Sequence, residues 1–294
     1  MRSEIILRLL HLFRKRNLQH YQPALARIEG GGVKRGLTPP EAAVVLGKPL
    51  NVTLTLVIFE MLRKGFLRQV SAVPFIVDVE DAFCTHGSGL SVQARGEQRR
   101  KAAQAINAAL HIYEEPFLEL MESNPGSPIH ELDFGLAVQP LVRYVAGRVG
   151  GFNLEETRAY YRLIIERAPR EARSDGRLTF ERQKVFDRNF GWVLLGEDFR
   201  SVLDQSDYSY VPVWMRQTPS PALPLGRGKG ENQATMNLSG NLPAGLSFAE
   251  WAKDVMAAME GAVDEQDVKL SLGRETDEVT ATLMNQIARA TFYG

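Results

Sequence analysis

The stretch from Leu37 to Glu80 constrains this chain more than any other, because its punctuation residues set two short helices and a hairpin in a fixed order. Thr38 stands as a helix cap before Pro39 and Pro40, which suit a first turn, and Gly47 with Pro49 stops that helix after Leu46. A second helix is expected from about Asn51 to Lys64, closed by Gly65. Two β-rich runs follow, Phe66 to Val70 and Phe75 to Val79, joined across Ser71 to Pro74. Helix, turn, helix, hairpin is the element order of a winged helix.

The second helix decides what such a unit can do. A helix that reads DNA offers polar and basic side chains near its N-terminal half. Here Asn51, Thr53 and Thr55 stand among Val52, Leu54, Leu56, Val57, Ile58, Phe59, Met61 and Leu62, and Arg63 and Lys64 come only at the end. The hairpin adds Arg68 alone. A helix apolar around most of its circumference belongs between neighbours, so the unit reads as a packing or protein-binding module rather than a DNA reader.

This segment, with Pro40-Glu41-Ala42 opening the first helix and Gly65-Phe66-Leu67 closing the second, resembles the winged-helix element near the C-terminal end of a family of bacterial membrane proteins. A second resemblance covers about two-thirds of the chain. The runs GFNLEETRAYYRLIIERA, VFDRNFGWVLLGEDF, VPVWMR and LPAGLSFAEW are similar to pieces of a bacterial family that also carries the winged-helix segment. Members of that family end in a cysteine- and alanine-rich tail, where this chain reads TFYG. The resemblance implies a fold and no activity, cofactor or catalytic residue.

An apolar fraction of 44% over 294 residues is enough for a real core. The single cysteine, Cys84, excludes an internal disulfide and a zinc ribbon. The most apolar N-terminal run, Ile5 to Phe13, is broken by Arg8 and His11 and falls short of the roughly 20 residues of a membrane span. It also lacks a secretory cleavage pattern, so no transmembrane segment is expected and the cytoplasm is the default location. Charge is uneven: residues 1–36 carry eight Lys or Arg against two Glu, and residues 217–294 carry six against ten acids. The basic arm could touch phosphates, yet the balanced chain as a whole disfavours nucleic acid.

The remaining pattern is helical. A basic amphipathic arm ends at Gly30-Gly31-Gly32; a helix is expected over Gly96 to Ser123 with a bend at Pro116; another spans Leu132 to Val149. Asn153 with Glu156 caps a helix whose stripe is Leu154, Thr157, Tyr161, Ile164 and Ala168, ending near Pro169. Phe186, Phe190, Trp192 and Phe199 read as core or interface anchors. Residues 217–246 have four prolines and five glycines and read as a linker; their GRGKG misses the phosphate-loop pattern, with Leu223 where glycine is required and no Ser or Thr after Lys229. Ser247 with Glu250 caps a further helix, and a last one runs from about Glu275 to Ala290.

The expected fold is therefore mostly α: a basic arm (1–36), a small α+β winged-helix-like unit (37–80), a bundle-like helical region (81–216), a flexible linker (217–246) and C-terminal amphipathic helices (247–294). On the tail, Phe248, Trp251, Val255, Met259, Leu283 and Ile287 line up as stripes that either fold back on the core or contact a partner protein. No cofactor, metal or catalytic residue is assigned. His111 and Glu115 lie one turn apart without a second such pair, Cys84 and His86 share a loop without a third group, and Glu114, Glu115, Glu119 and Glu122 read as a solvated face. The leading expectation is a non-enzymatic adaptor making protein–protein contacts. The alternatives are a winged-helix DNA-binding regulator and an enzyme whose site would use Arg158, Tyr161, Asp187, Glu197 and Asp198.

Overall fold

The computed structural model describes residues 32–172, 180–205, 208–216, 242–243, 245–262 and 278–292. The N-terminal arm before Gly32, the polar loop at 174–176, the GRGKG piece and most of the expected linker lie outside the described residues, as does the terminal Gly294. The chain is mostly helical with a small two-stranded β element, as its pattern predicts.

The first two helices and the hairpin form as their punctuation dictates. Helix α1 (Pro39–Leu46) opens on Thr38 with Glu41 completing a reciprocal cap, and ends on Gly47 in the left-handed region at φ 66°. Helix α2 (Leu50–Lys64) ends likewise on Gly65, at φ 76°. Strands β1 (Leu67–Ser71) and β2 (Ile76–Val79) pair antiparallel, Leu67 opposite Val79 and Gln69 opposite Val77, with an irregularity before Ser71.

Helix α2 is the axis of the molecule. Twelve of its fifteen residues are buried, which leaves it no face for solvent. Around it pack α1, α7 (Phe180–Leu194), α10 (Phe248–Ala258) and α11 (Glu278–Phe292). Phe59 is the hub: its ring stacks on Trp251 at 5.5 Å and lies 5.6 Å from Trp214, 6.0 Å from Phe248 and 6.2 Å from Phe75. Asn51 ties α2 to α10 by donating to the Met256 carbonyl at 3.0 Å.

The C-terminal stripes are consumed by this core. Phe248, Trp251, Val255, Met259, Leu283 and Ile287, read from the sequence as stripes that fold back on the core or contact a partner, are each at most 5% exposed. A side chain that closes its own core has no area left for a partner, so the folded protein does not present these six. The caps hold: the Glu250 N–H donates to the Ser247 hydroxyl at 3.2 Å.

Three boundaries differ from the pattern. Helix α3 (Val92–Ala105) starts early on the Ser91 cap and is not continuous with α4 (Glu115–Ser123). Asn107 sits at φ 55°, the Asn107 N–H donates to Gln104 and the Ala108 N–H to Ala103, a reversal that turns the chain where apolar periodicity shows no break. Pro116 therefore lies in the first turn of a new helix, not at a bend. Helix α5 begins at Gly135 rather than Leu132 (Gly135–Val149), because Asp133 takes the Gly135 N–H into a turn. Helix α6 (Leu154–Ala172) runs through Pro169.

An extended strap, residues 32–37, crosses α6. The Asn153 N–H donates to Gly32 at 2.9 Å, and the strap's Lys34 and Leu37 N–H groups donate to the Thr157 and Tyr161 hydroxyls. The polar members of the α6 stripe thus hold backbone rather than only filling a core. Two short helices, α8 (Phe199–Leu203) and α9 (Val213–Arg216), and the two-residue strands β3 (Asp204–Gln205) and β4 (Tyr208–Ser209) complete the described α-helices and strands, beside four single-turn 3-10 helices. Among the described residues no helix is long and apolar enough to cross a membrane.

Candidate functional site

Two groups of charged side chains compete for the role of site, one interior and one lining a cleft. The interior group is paired by structure, with one buried oxygen, Glu41 Oε1, left without a hydrogen-bond partner among the described residues. Glu41, fully buried, accepts the Thr38 N–H and pairs with Arg148 at 2.5 Å. Glu114, also fully buried, pairs with Lys64 at 2.6 Å; burial raises its carboxyl above the ordinary value and Lys64 offsets part of that. Tyr113 lies beside both acids and 3.4 Å from the Thr38 hydroxyl, and burial pushes its phenol well above the usual range. His111 stacks on Tyr113, and burial with Lys64 and Arg148 nearby lowers it to about 4, so the imidazole is neutral at pH 7.

The acidic run on α4 is not a solvated face. Glu122 pairs with the buried Arg99 and accepts the Thr85 and His86 N–H groups, Glu119 faces Arg95 at 3.4 Å, and Glu115 takes Arg100 at 2.9 Å. The arginines of α3 answer it, and only the turn at Asn107 brings them there. Burial raises the Glu122 carboxyl, but those N–H groups and Arg99 outweigh it and leave it below the ordinary value. Desolvation, with Glu122 and Asp81 nearby, raises the Cys84 thiol, the opposite of what a nucleophile needs.

The cleft lies along α6. Glu155, Arg158, Arg162, Glu166 and Arg170 recur at three- and four-residue steps on one face of that helix and line it. At 1.5 Å per residue they span about 22 Å. The turn after α1, Leu46-Gly47-Lys48, forms its middle, shared by two hollows of about 780 and 450 Å³. The larger hollow is walled by Leu195 to Asp198 and Val202; the smaller is walled by Gln286, Arg289 and Ala290 of α11.

Glycine at 47 permits this arrangement. A Cβ there would sit 3.3 Å from Cβ of Gln286, and the residue has positive φ besides, so a side chain at 47 would both strain the turn and crowd α11. Arg158 locks the corner: its Nε donates to the Val45 carbonyl at 2.8 Å, and its terminal nitrogens reach Glu155 and the Gln286 amide oxygen. By contrast, the side chains of Lys48, Arg162, Glu166, Arg170, Glu197, Asp198 and Arg289 make no ion pair among the described residues.

The five residues offered for an enzyme site do not converge. Glu197 and Asp198 line the larger hollow and Arg158 the smaller. Tyr161 is buried, accepting the Leu37 N–H at 2.8 Å and stacking on Trp192, while Asp187 accepts from the Tyr210 hydroxyl at 2.6 Å. The described cleft residues include no Ser, Thr, Cys, His or Tyr; the groups there that can attack or transfer a proton are the carboxylates Glu155, Glu166, Glu197 and Asp198 and the amine of Lys48. Among the described residues no cluster of metal-binding side chains occurs.

Comparison with known proteins finds no matching family model, no matching curated protein and no matching solved structure. What the cleft can hold follows from its own residues. Lys48, Arg162, Arg170 and Arg289 carry no motif of their own; the charged face of α6 is visible at four-residue spacing, but its other walls come from separate elements at residues 46–48, 195–202 and 286–290.

Proposed function

We propose that the protein is a non-enzymatic adaptor that seats a charged segment of a partner protein in the cleft along α6. One observation carries this: a half-buried apolar floor of Leu46 and Ile165 is ringed by charges of both signs that have no mates within the described residues. Protein interfaces share that anatomy of apolar centre and polar rim. Unpaired charge around a concavity gains more from a complementary segment than from water, because closing the cleft lowers the local dielectric.

In this reading the unit at residues 37–80 is a winged helix turned inward and used as a packing module, which the enclosure of α2 supports. The same enclosure leaves little for a DNA-binding regulator, since the helix that would enter a groove has no free face. The test is capture of partners from the source cell by the full chain, with covalent cross-linking, comparing wild type with the triple variant Arg162→Glu, Arg170→Glu, Glu197→Lys. These exposed side chains have no ion-pair mates among the described residues, so folding should be preserved while recovery of any specific partner collapses. Equal recovery by both proteins would end the proposal.

A further inference from the structure

We infer that the smaller hollow, between α6 and α11, is a binding site for a phosphate-like dianion. Arg162 and Arg289, which make no ion pair among the described residues, line a space of about 450 Å³ together with Arg158, 10% exposed at the side chain. Glu155 is the one carboxylate in the lining and it is matched to Arg158, so the two free guanidiniums leave a local excess of two positive charges.

The groups that would repel an anion there are already occupied. The C-terminal end of α1 borders the hollow at Leu46 and Gly47, and of its last carbonyls Ala43 and Val44 accept from the Lys48 and Gly47 N–H groups while Val45 accepts from Arg158. Gln286 turns its amide oxygen to Arg158, which leaves its NH2 as a further neutral donor. Donors with two net positive charges match a phosphate monoester, which carries about −1.5 to −2 at neutral pH, better than a single carboxylate.

The inference deepens the adaptor reading, on which it rests for the source of the group: a phosphorylated side chain on the partner segment, with a free phosphate ester as the other source. Calorimetric titration of the full chain with inorganic phosphate, at constant ionic strength held with chloride, should give one site. In the variant Arg162→Gln, Arg289→Gln affinity should fall about tenfold or more, with no change in melting temperature. Absence of phosphate binding by wild type, or equal binding by the variant, would overturn the site. A short alanine- and leucine-based peptide with one phosphoserine, and its serine twin, separate the sources. Tighter binding of the phosphopeptide than of phosphate supports both the site and the adaptor reading, whereas phosphate binding with no gain for the peptide supports the site and counts against the adaptor.

Discussion

Replacing Trp251 with alanine tests the architecture at its most informative point. Trp251 is 1% exposed, stacks on Phe59 at 5.5 Å, meets Phe75 edge-on at 4.9 Å, and its indole N–H donates to the Ala72 carbonyl at 2.9 Å. Truncating a buried tryptophan costs about 3–5 kcal/mol, and the stranded carbonyl places this site toward the top of that range. Were α10 a tethered helix held ready for a partner, the same change would fall within about 0.5 kcal/mol, as for surface substitutions. With a urea dependence of about 3 kcal/mol per molar, a loss of about 4 kcal/mol lowers the unfolding midpoint by roughly 1.3 M. Tryptophan fluorescence and far-ultraviolet circular dichroism would follow the transition. Trp251→Phe, which keeps most of the ring contacts and loses the donor, should fall between the two. A midpoint unmoved in Trp251→Ala would mean that the tail does not complete the core, and the reasoning that withdraws the six stripe residues from partner binding would fail with it.

Removing the charge of Lys64 with Lys64→Met strands Glu114 in the core and should cost about 3–5 kcal/mol near neutral pH, with the double variant Lys64→Met, Glu114→Gln recovering most of it; equal stability of the single and double variants would contradict the buried pair. His111 is held near 4 when folded, against an ordinary value of 6.5, so its contribution is complete above about pH 6.5 and is lost as pH falls toward 4. After allowance for its partial exposure that is about 1–2 kcal/mol, and His111→Phe, which keeps the stack on Tyr113, should flatten this part of the stability profile measured by denaturant titration at several pH values. Gly191→Ala places a methyl 2.9 Å from Pro39 and 3.3 Å from the Glu60 carboxylate, where α7 meets α1; a loss of about 1–3 kcal/mol is expected, and an unchanged melting temperature would show that contact to be looser than described.

The elements that could be read from residues alone are those whose signals are local. Thr38, Gly47, Gly65, Asn153 and Ser247 each act on a backbone group within a few residues, so helix ends at those points follow from the covalent chain. The buried fate of α2 was equally legible, because a helix with apolar residues on nearly every side has only one stable environment. Where the deciding partner is distant, local pattern misleads. Glu115, Glu119 and Glu122 look like a solvated face until the turn at Asn107 delivers the arginines of α3, and Tyr161 looks like a core anchor until its hydroxyl is found holding the strap at Leu37.

Helical content with one hairpin, the caps that bound the first helices and the inward destiny of the central helix are set by residue order alone, since hydrogen-bond capping and apolar periodicity act over a few residues. Tertiary structure alone decided that the C-terminal stripes seal this protein's own core and that Arg162, Arg289 and Lys48 share a cleft. Those are choices among surfaces of equal local character, settled by long-range packing that brings residues 46–48, 155–170, 195–202 and 286–290 to one place.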